Sequence, residues 1–513
     1  YTLVNLPVLT SANVSLMYKE GCLKQEWNQD GRDFGCPEWT PGSGQYTIAF
    51  AYDKGDGTAT YVDCKRMALS TTLKTRDTAL GSFTIGSYVD GSLPATGMTV
   101  HSLRVYNSKL SADEVATETG KLRTIVGGDT PENPVEVSDK IEVNQGETLR
   151  TIGYLNFSNG ENVVNAGGTL EVVSGETAFN MKKEGLAGTL KVNSGAKFLN
   201  GTADGPSYGA VTLDIAGTLE ITDGVRWSLG SASTTILREG ATLKGDGAND
   251  THKYAYDYFD GHQKIQVLGN ATIEGNIGSH NNDVNEICFD IDQDKTLTMK
   301  GTVGRGKVLV KKGTFCLEDS EGKNAEIRAL TIAKGGSLSG NGSLNGTLTY
   351  NSEEESVFGG EIKSDLTVEA GVLEFTANQK STGIGNIAVN GGVLRINTES
   401  DRADANMAVP ERKVISVGES GILELAQGYA YLTAEGAGLT KVVGNFYLGI
   451  TGDSGLNNIT TKLEIENGKT LFVRNWRSDY ALNPAALCVN GSLEEEGYSH
   501  PRIKPFSVTT SNL

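Results

Sequence analysis

The sequence concentrates aromatic, acidic and histidine side chains in one short segment, Asn249–Gln263. Aromatic rings pack against the apolar C–H faces of sugars, and carboxylates accept hydrogen bonds from hydroxyl groups. The segment is therefore a candidate glycan-binding loop. Alternatively, its aromatic side chains cover the hydrophobic core of the protein. The candidate ligand-binding residues are Tyr254, Tyr256, Asp257, Tyr258, Asp260 and His262.

A second candidate site is the acidic segment Glu286–Asp294. Asp290, Asp292 and Asp294 alternate along the chain, and alternate residues of a β-strand point to one face, about 7 Å apart. Carboxylates in that arrangement bind calcium or act as a pair in hydrolysis. An outward acidic stripe on a strand with apolar inward residues accounts for the same pattern without a ligand, and we favour it. Calcium is the only metal or cofactor that the sequence suggests.

Composition and charge narrow the functional class. The chain has 513 residues, with 45 Lys+Arg and 63 Asp+Glu, and a formal net charge of −18. An acidic surface repels phosphate backbones and anionic lipid heads, so we expect no nucleic-acid partner. The 65 Gly and only 11 Pro indicate many tight turns between short strands. No apolar run reaches about 18 residues, so no transmembrane helix is expected.

A change of composition divides the chain at residues 126–139 (VGGDTPENPVEVSD), where Pro, Gly and acidic residues indicate a linker. Within residues 1–125, Tyr46–Asp53 and Thr58–Asp63 alternate around a Gly/Asp turn, which predicts a β-hairpin. Ser111 and Glu114 form a capping-box pattern that opens a short helix. The sequence therefore predicts a separate, mainly β domain before the linker.

Four stretches of this domain form a recognisable set: Tyr46–Asp53 (YTIAFAYD), Tyr61–Cys64, Thr84–Gly86 and the closing Leu103–Val115 (LRVYNSKLSADEV). In these stretches, residues 1–125 resemble the laminin-G-like, concanavalin A-type jelly-roll domains of bacterial surface proteins. The resemblance implies a β-sandwich that recognises a glycan or protein ligand. Domains of this family are usually longer, so a partial domain is expected here.

Residues 140–513 repeat a different pattern: a small residue, then Thr, Ser or Val, then Leu or Ile, a polar residue and an apolar one. Gly168–Gly175 (GTLEVVSG), Gly188–Gly195 (GTLKVNSG) and Gly392–Asn397 (GVLRIN) are examples, and successive starts are mostly roughly 17 to 35 residues apart. One such strand cannot bury its apolar face alone, but stacked strands form a continuous core. The pattern predicts a β-solenoid, specifically a right-handed parallel β-helix.

An array of immunoglobulin-like sandwiches is the alternative fold for the repeats. Such units run to about 100 residues and use aromatic core anchors, whereas only Trp227 and Trp476 follow the linker. We therefore favour the solenoid. The predicted fold class is all-β, a jelly-roll β-sandwich followed by a parallel β-helix.

The 6 cysteines are widely spaced and lack the paired spacing of a zinc site. Two interpretations stay open. Cys22 can pair with Cys36 across a hairpin and Cys288 with Cys316 between neighbouring coils, or all six are buried thiols.

The repeats also resemble the passenger regions of bacterial autotransporter-type adhesins, whose repeats read GGTL followed by alternating residues. Many β-helices are instead polysaccharide lyases or polygalacturonase-like hydrolases. Of the motifs of those hydrolases, only Arg502-Ile503-Lys504 is present, and it lies outside the regular repeats. The chain has 5 His, few for acid–base chemistry.

Together these features predict an extracellular or cell-surface bacterial adhesin-like protein, more readily a binding protein than an enzyme. The jelly-roll would bind a glycan or a cell-surface protein, and the β-helix would be a rigid stalk. The alternative is a β-helix polysaccharide lyase or glycoside hydrolase with an appended carbohydrate-binding module. A purely structural module of a larger surface protein is a third interpretation.

Overall fold

A computed structural model describes the strands and one helix within residues 1–119, and most of residues 120–495. Two compact units divide the chain: residues 1–124 with 146–149, and residues 125–145 with 150–513. The segments of 120–495 that lie outside the described residues are 201–209, 222–232, 246–255, 258–262, 275–276, 279–285, 301–302, 319–326, 377–383, 399–412, 431, 451–458 and 476–483.

The first unit contains two antiparallel sheets, ordered β4-β3-β2-β1-β8 and β5-β6-β7. Its elements are β1 (Leu6–Thr10), β2 (Val14–Lys19), β3 (Cys22–Trp27), β4 (Arg32–Phe34), β5 (Ile48–Asp53), β6 (Gly57–Val62), β7 (Lys65–Ser70), β8 (Thr84–Ile85) and α1 (Ala112–Glu118).

Two local predictions are confirmed in this unit. The hairpin is present, since β5 and β6 pair antiparallel from Ile48↔Val62 to Asp53↔Gly57. The short helix after the capping box is α1. The antiparallel sheets are compatible with a jelly-roll, but that topology stays a prediction. Part of the closing stretch, residues 103–111, lies outside the described residues.

The second unit, together with residues 122–124 and 146–149, forms a parallel β-solenoid of about 12 turns between residues 122 and 494. Its strands are β9 (Leu122–Val126), β10 (Val135–Val137), β11 (Glu142–Val143), β12 (Thr148–Ile152), β13 (Leu155–Val164), β14 (Thr169–Ser174), β15 (Glu176–Leu186), β16 (Thr189–Val192), β17 (Lys197–Asn200), β18 (Thr212–Ile215), β19 (Thr218–Ile221), β20 (Thr234–Leu237), β21 (Thr242–Gly245), β22 (Tyr256–Asp257), β23 (Gln263–Val267), β24 (Ala271–Ile273), β25 (Ile277–Gly278), β26 (Glu286–Ile291), β27 (Thr296–Met299), β28 (Val303–Leu317), β29 (Ile327–Ile332), β30 (Gly336–Gly340), β31 (Thr347–Phe358), β32 (Leu366–Phe375), β33 (Ile387–Asn397), β34 (Lys413–Ala430), β35 (Leu432–Glu435), β36 (Leu439–Ile450), β37 (Lys462–Ile465), β38 (Thr470–Asn475), β39 (Ala486–Val489) and β40 (Ser492–Glu495).

Each early coil contributes one strand to each of two parallel sheets. Sheet I runs through β14, β16, β18, β20, β23 and β26 into β28. Sheet II runs through β15, β17, β19, β21, β24 and β27, again into β28. From β31 to β34 the strands are long, and each pairs with the next over most of its length. This pairing confirms the predicted solenoid.

Alternation along each strand explains why the coils stack. In β16, Leu190 and Val192 are fully buried while Thr189 and Lys191 are partly exposed. Residues at equal register in neighbouring coils lie about 4.7–4.9 Å apart, so inward side chains form columns. Phe157 and Phe179 are such partners, with ring centroids 5.0 Å apart, and the ring of Phe198, which is in register with Thr177, lies 6.3 Å from that of Phe179. The alternative fold, an array of immunoglobulin-like sandwiches, is excluded because those domains are built from antiparallel strands, whereas the strands here pair in parallel.

Three further features bear on the sequence predictions. Within the predicted linker, β10 pairs in parallel with β13, from Val135↔Leu155 to Val137↔Phe157, so this part is a strand of the solenoid. Cys288 is buried in sheet I and Cys316 is half-buried in sheet II, and no disulfide joins them, so the interpretation that they pair between coils is wrong. Cys488 is exposed, which also excludes six buried thiols.

Cys22 is the first residue of β3, and its backbone pairs with that of Lys19 in β2. The side chain of Cys22 and the whole of Cys36 lie outside the described residues. Across the portions of the chain that are described, no helix has the length and apolarity of a membrane-spanning segment.

Candidate functional site

The predicted aromatic segment contributes a short strand to the solenoid. Tyr256 and Asp257 form β22, which pairs in parallel with β25 through Tyr256↔Ile277 and Asp257↔Gly278. The stack thus fixes the backbone of the segment at one level. The role of these residues in binding stays a prediction, and the other candidates lie outside the described residues: Tyr254, Tyr258, Asp260 and His262.

Between β17 and β23, each long connection follows a strand of sheet II. Sheet I passes to sheet II through short corners such as 216–217 and 238–241. Sheet II passes to the next strand of sheet I through 201–211, 222–233 and 246–255, the last of which leads into β22. Insertions in repeat proteins often gather on the binding face in this way. The predicted glycan-binding segment therefore belongs to a row of variable connections that start and end at successive levels of one edge.

The acidic segment is arranged differently from the prediction. β26 ends at Ile291, so only Asp290 is in the strand, while Asp292 and Asp294 lie in the corner that follows. Asp294 has a positive φ of 61°. The expectation that three aspartates line one strand face is therefore wrong, because the chain turns after Ile291.

A lysine ammonium lies between the first two of these aspartates. Lys312 Nζ is 3.6 Å from Asp290 Oδ1 and 3.3 Å from Asp292 Oδ1. Within the described part of the chain, no group of three His, Cys, Asp or Glu side chains is arranged to hold a metal ion. Calcium binding here stays a prediction, and a bound ion would have to compete with Lys312 for both carboxylates.

Charged side chains alternate in sign along the outer surface of sheet II. Glu220, Lys244, Glu274, Lys300 and Glu318 follow one another from coil to coil. Lys244 Nζ is 3.6 Å from Glu220 Oε2, and Lys300 lies between Glu274 and Glu318 at 4.0 and 3.6 Å. Each charge thus has an opposite charge one strand spacing away. This arrangement stabilises one register and disfavours a shift that would place like charges together.

Glu171 is the most enclosed carboxylate of sheet I, with 7% of its surface exposed. It accepts hydrogen bonds from Arg150 Nε at 2.7 Å, from Lys191 Nζ at 2.7 Å and from Asn193 Nδ2 at 3.4 Å. Burial opposes its ionisation, but the hydrogen bonds from Lys191 and Arg150 outweigh burial and lower the pKa of Glu171. It is a structural anion that links three coils.

Three carboxylates converge on Arg395 in the later coils. Its guanidinium donates to Glu424 Oε2 at 2.7 Å, to Glu355 Oε1 at 2.8 Å and to Glu374 Oε2 at 3.0 Å. Asn397 Nδ2 donates to the other oxygen of Glu374 at 2.8 Å. Burial opposes the charge of Arg395, yet the bonds to Glu424 and Glu374 raise its pKa. The cluster joins four coils through one side chain.

The sequence analysis missed this cluster, although a signal for it is present. In successive repeats the third residue after the small residue at the start of the motif reads Glu374, Arg395, Glu424, Lys441 and Glu464. These residues are register partners in the structure. A comparison of the same motif position in successive repeats predicts this column of alternating negative and positive charges. The sequence analysis also missed an outward aromatic pair, Tyr447 and Phe472, whose stacked rings have centroids 4.6 Å apart.

Comparisons with models of known protein families, with curated proteins and with solved structures found no match to this chain.

Proposed function

We propose that the chain is an adhesin-like protein of the bacterial surface or of the secreted fraction. In this proposal the solenoid is a right-handed parallel β-helix that serves as a rigid stalk. The first unit is a laminin-G-like jelly-roll that recognises a glycan or a protein on another surface. The resemblance of its closing stretch to that family supports the recognition role.

The continuous parallel ladder of the solenoid supports the stalk role. About 12 turns at a spacing of about 4.8 Å extend over roughly 57 Å. Every interior coil is hydrogen-bonded to the coils on both sides, and its apolar residues join one core. The ion pairs of the outer columns add contacts across the same interfaces. A stack of this kind resists bending, which is the property a stalk needs.

A glycan array combined with a polysaccharide-degradation screen tests the proposal on the full chain. We expect saturable binding to a glycan or a cell-surface protein without release of soluble oligosaccharides. Release of oligosaccharides would instead support a β-helix lyase or hydrolase. Neither binding nor release across glycans and surface proteins would contradict a recognition role.

The aromatic segment has its own test within this experiment. If it contacts the ligand, the double variant Tyr256→Ala/Tyr258→Ala loses array binding while its melting temperature stays unchanged. Leu268→Ala is a suitable control, because Leu268 is 40% exposed in a short corner that joins sheet I to sheet II. Equal array binding by both variants would exclude the segment from recognition.

Calcium binding at Asp290–Asp294 is tested by adding EDTA to the purified chain. A bound ion stabilises the folded state, so its removal is expected to lower the melting temperature. An unchanged melting temperature would count against calcium.

Surface location is tested by fractionating the cells that produce the protein and probing each fraction with an antibody.

A further inference from the structure

Three aromatic side chains lie in register on the outer surface of the last coils. Tyr429 pairs with Tyr447, and Tyr447 pairs with Phe472, in strands β34, β36 and β38. Each is partly exposed, whereas their strand neighbours Phe446 and Leu471 are fully buried. The rings of Tyr447 and Phe472 are stacked, with centroids 4.6 Å apart and planes inclined by 12°. The aromatic column is thus fixed on a rigid sheet.

A column of uncharged polar side chains runs beside the aromatic one, two residues earlier in each strand. The register pairs are Gln427↔Asn445, Asn445↔Thr470 and Thr470↔Ser492. Gln427, Asn445 and Ser492 are exposed, and Thr470 is half-buried. Amides and hydroxyls both donate and accept hydrogen bonds. We call the two columns together the neutral face: Gln427, Asn445, Thr470, Ser492, Tyr429, Tyr447 and Phe472.

The absence of charge within these two columns contrasts with neighbouring strand segments of the same coils. A few residues earlier, β34, β36 and β37 present Glu424, Lys441 and Glu464. The charged residues that border the neutral face are Glu494, two residues after Ser492 and in register with Phe472, and Arg474, two residues after Phe472. A ligand that carries no charge loses least on leaving water against these seven side chains, because none of them is an ionic group that has to be desolvated. The charge pattern therefore selects a neutral ligand.

The dimensions favour an extended ligand. The polar column crosses four coils, which at about 4.8 Å each places its ends about 14 Å apart. A hydrogen-bonding group recurs at every coil, so a chain of repeating hydroxylated units can make the same contact several times. A single sugar would reach only part of the column.

The stacked rings also restrict how a ligand approaches. Because Tyr447 and Phe472 cover one face of each other's ring, a ligand lying on the sheet meets ring edges and the tyrosine hydroxyls. Those edges pack against C–H groups, and the amides beside them bond to hydroxyls. Ligand sites combine an apolar surface and a few polar groups in this manner.

We propose that the neutral face binds a neutral polysaccharide chain that lies along the solenoid axis. The solenoid is then a binding surface in its own right. This inference is independent of the recognition role proposed for the first unit and for the aromatic segment.

Affinity electrophoresis of the full chain tests the inference, with gels that contain a neutral β-glucan, galactomannan or starch, and a gel that contains polygalacturonate. We expect retardation in at least one neutral gel and none specific to polygalacturonate. In Asn445→Ala/Thr470→Ala the dissociation constant should rise about tenfold, as expected for two lost hydrogen bonds of about 0.7 kcal/mol each. Thr242→Ala/Thr272→Ala, on outward threonines of sheet II, is the matched control and should bind as the parent does.

Two further variants keep the test decisive. Asn445→Asp adds a charge without changing size at an exposed position, so it should fold and still lose binding. Tyr447→Phe removes only a hydroxyl and should weaken binding less than the double variant. Retardation by no neutral polysaccharide, retardation only by polygalacturonate, or equal retardation of parent and double variant would each overturn the inference. If binding persists in that variant but disappears in Tyr256→Ala/Tyr258→Ala, the inference fails while the proposed function stands.

Discussion

Glu171 illustrates how individual outer residues contribute to the stack. Its folded pKa is lowered, because hydrogen bonds from Lys191 and Arg150 favour the ionised form more than burial disfavours it. A depressed carboxyl pKa contributes stability above the unfolded value, and that contribution is lost as the pH falls through the folded value. The stabilisation by Glu171 is therefore complete at neutral pH and disappears below its ordinary value of 4.5.

Glu171→Gln is expected to lower the free energy of unfolding at pH 7 by about 1–3 kcal/mol, because charged hydrogen bonds are replaced by neutral ones. At pH 3 the difference from the parent should be smaller, because this pH lies below the ordinary carboxyl value of 4.5 and part of the contribution of Glu171 is then lost. Urea unfolding at both pH values measures this. Glu353→Gln, in an exposed pair with Lys334, should show no comparable effect. An equal difference at pH 7 and pH 3 would contradict the assigned pKa shift.

Arg395→Met should be more damaging. Glu374 and Glu424 have only 12% and 13% of their side-chain surface exposed, and the substitution leaves both without their shared cation. We expect a loss of about 2–3 kcal/mol at pH 7, since breaking an enclosed ion pair strands the remaining charges. Lys334→Met is the control and should be silent in the same urea titration. Equal stability of the two variants would show that the Arg395 cluster adds nothing to the fold.

At the scale of the elements, the corners decide how closely coils approach. Gly371 has a φ of 71°, and a Cβ there would lie 2.0 Å from the carbonyl oxygen of Ser352 in the preceding coil. Gly195 has a φ of 75°, but a Cβ there meets nothing within 4 Å. The two glycines share a left-handed conformation and differ in the space around them. The left-handed backbone alone therefore explains why glycine is favoured at position 195. At position 371 the close approach of the neighbouring coil is a second reason for glycine.

The pair Gly371→Ala and Gly195→Ala separates these effects. Gly195→Ala should cost about 1–2 kcal/mol, the strain of a left-handed alanine. Gly371→Ala should cost clearly more, because the backbone of β31 must also move. Thermal unfolding of both variants, compared with the parent, measures the difference. Equal losses would mean that the coils can separate at this corner without penalty.

At the scale of the whole solenoid, stability depends on having a neighbour on each side. One inward column consists of Leu425, Val442, Ile465 and Val489 in successive coils. The first three are fully buried, whereas Val489 is 43% exposed. Val489 belongs to β39, for which β37 is the parallel partner among the described strands. Side chains at equivalent repeat positions therefore contribute differently to the free energy of unfolding, depending on whether a coil covers them on both sides.

Ile465→Ala and Val489→Ala test this dependence at matched register. Ile465→Ala should destabilise the chain by about 2–5 kcal/mol, as for other large-to-small changes in a packed core. Val489→Ala should change stability by about 0.5 kcal/mol or less. Chemical denaturation of both variants provides the comparison. Similar losses would indicate that the last described coil is as fully covered as the interior ones.

Several features of this protein followed from the sequence. The alternation in Gly188–Gly195, where Leu190 and Val192 point inward, required a second coil to cover it, and the parallel solenoid satisfies that requirement. The hairpin from Tyr46 and the helix after Ser111 were also predictable, since turn and capping signals act over a few residues. The corner at Asp292 was missed, because alternation was read beyond the end of the strand.

The sequence by itself determined the parallel solenoid, because a period-two apolar pattern repeated down the chain has few other ways to become buried. The tertiary structure alone decided which outer residues meet. Connections of unequal length separate the repeats, so spacing along the chain does not reveal that Glu355, Glu374 and Glu424 surround Arg395. The neutral face arises in the same way. Its columns join residues from four coils whose backbone register is set by hydrogen bonding between strands.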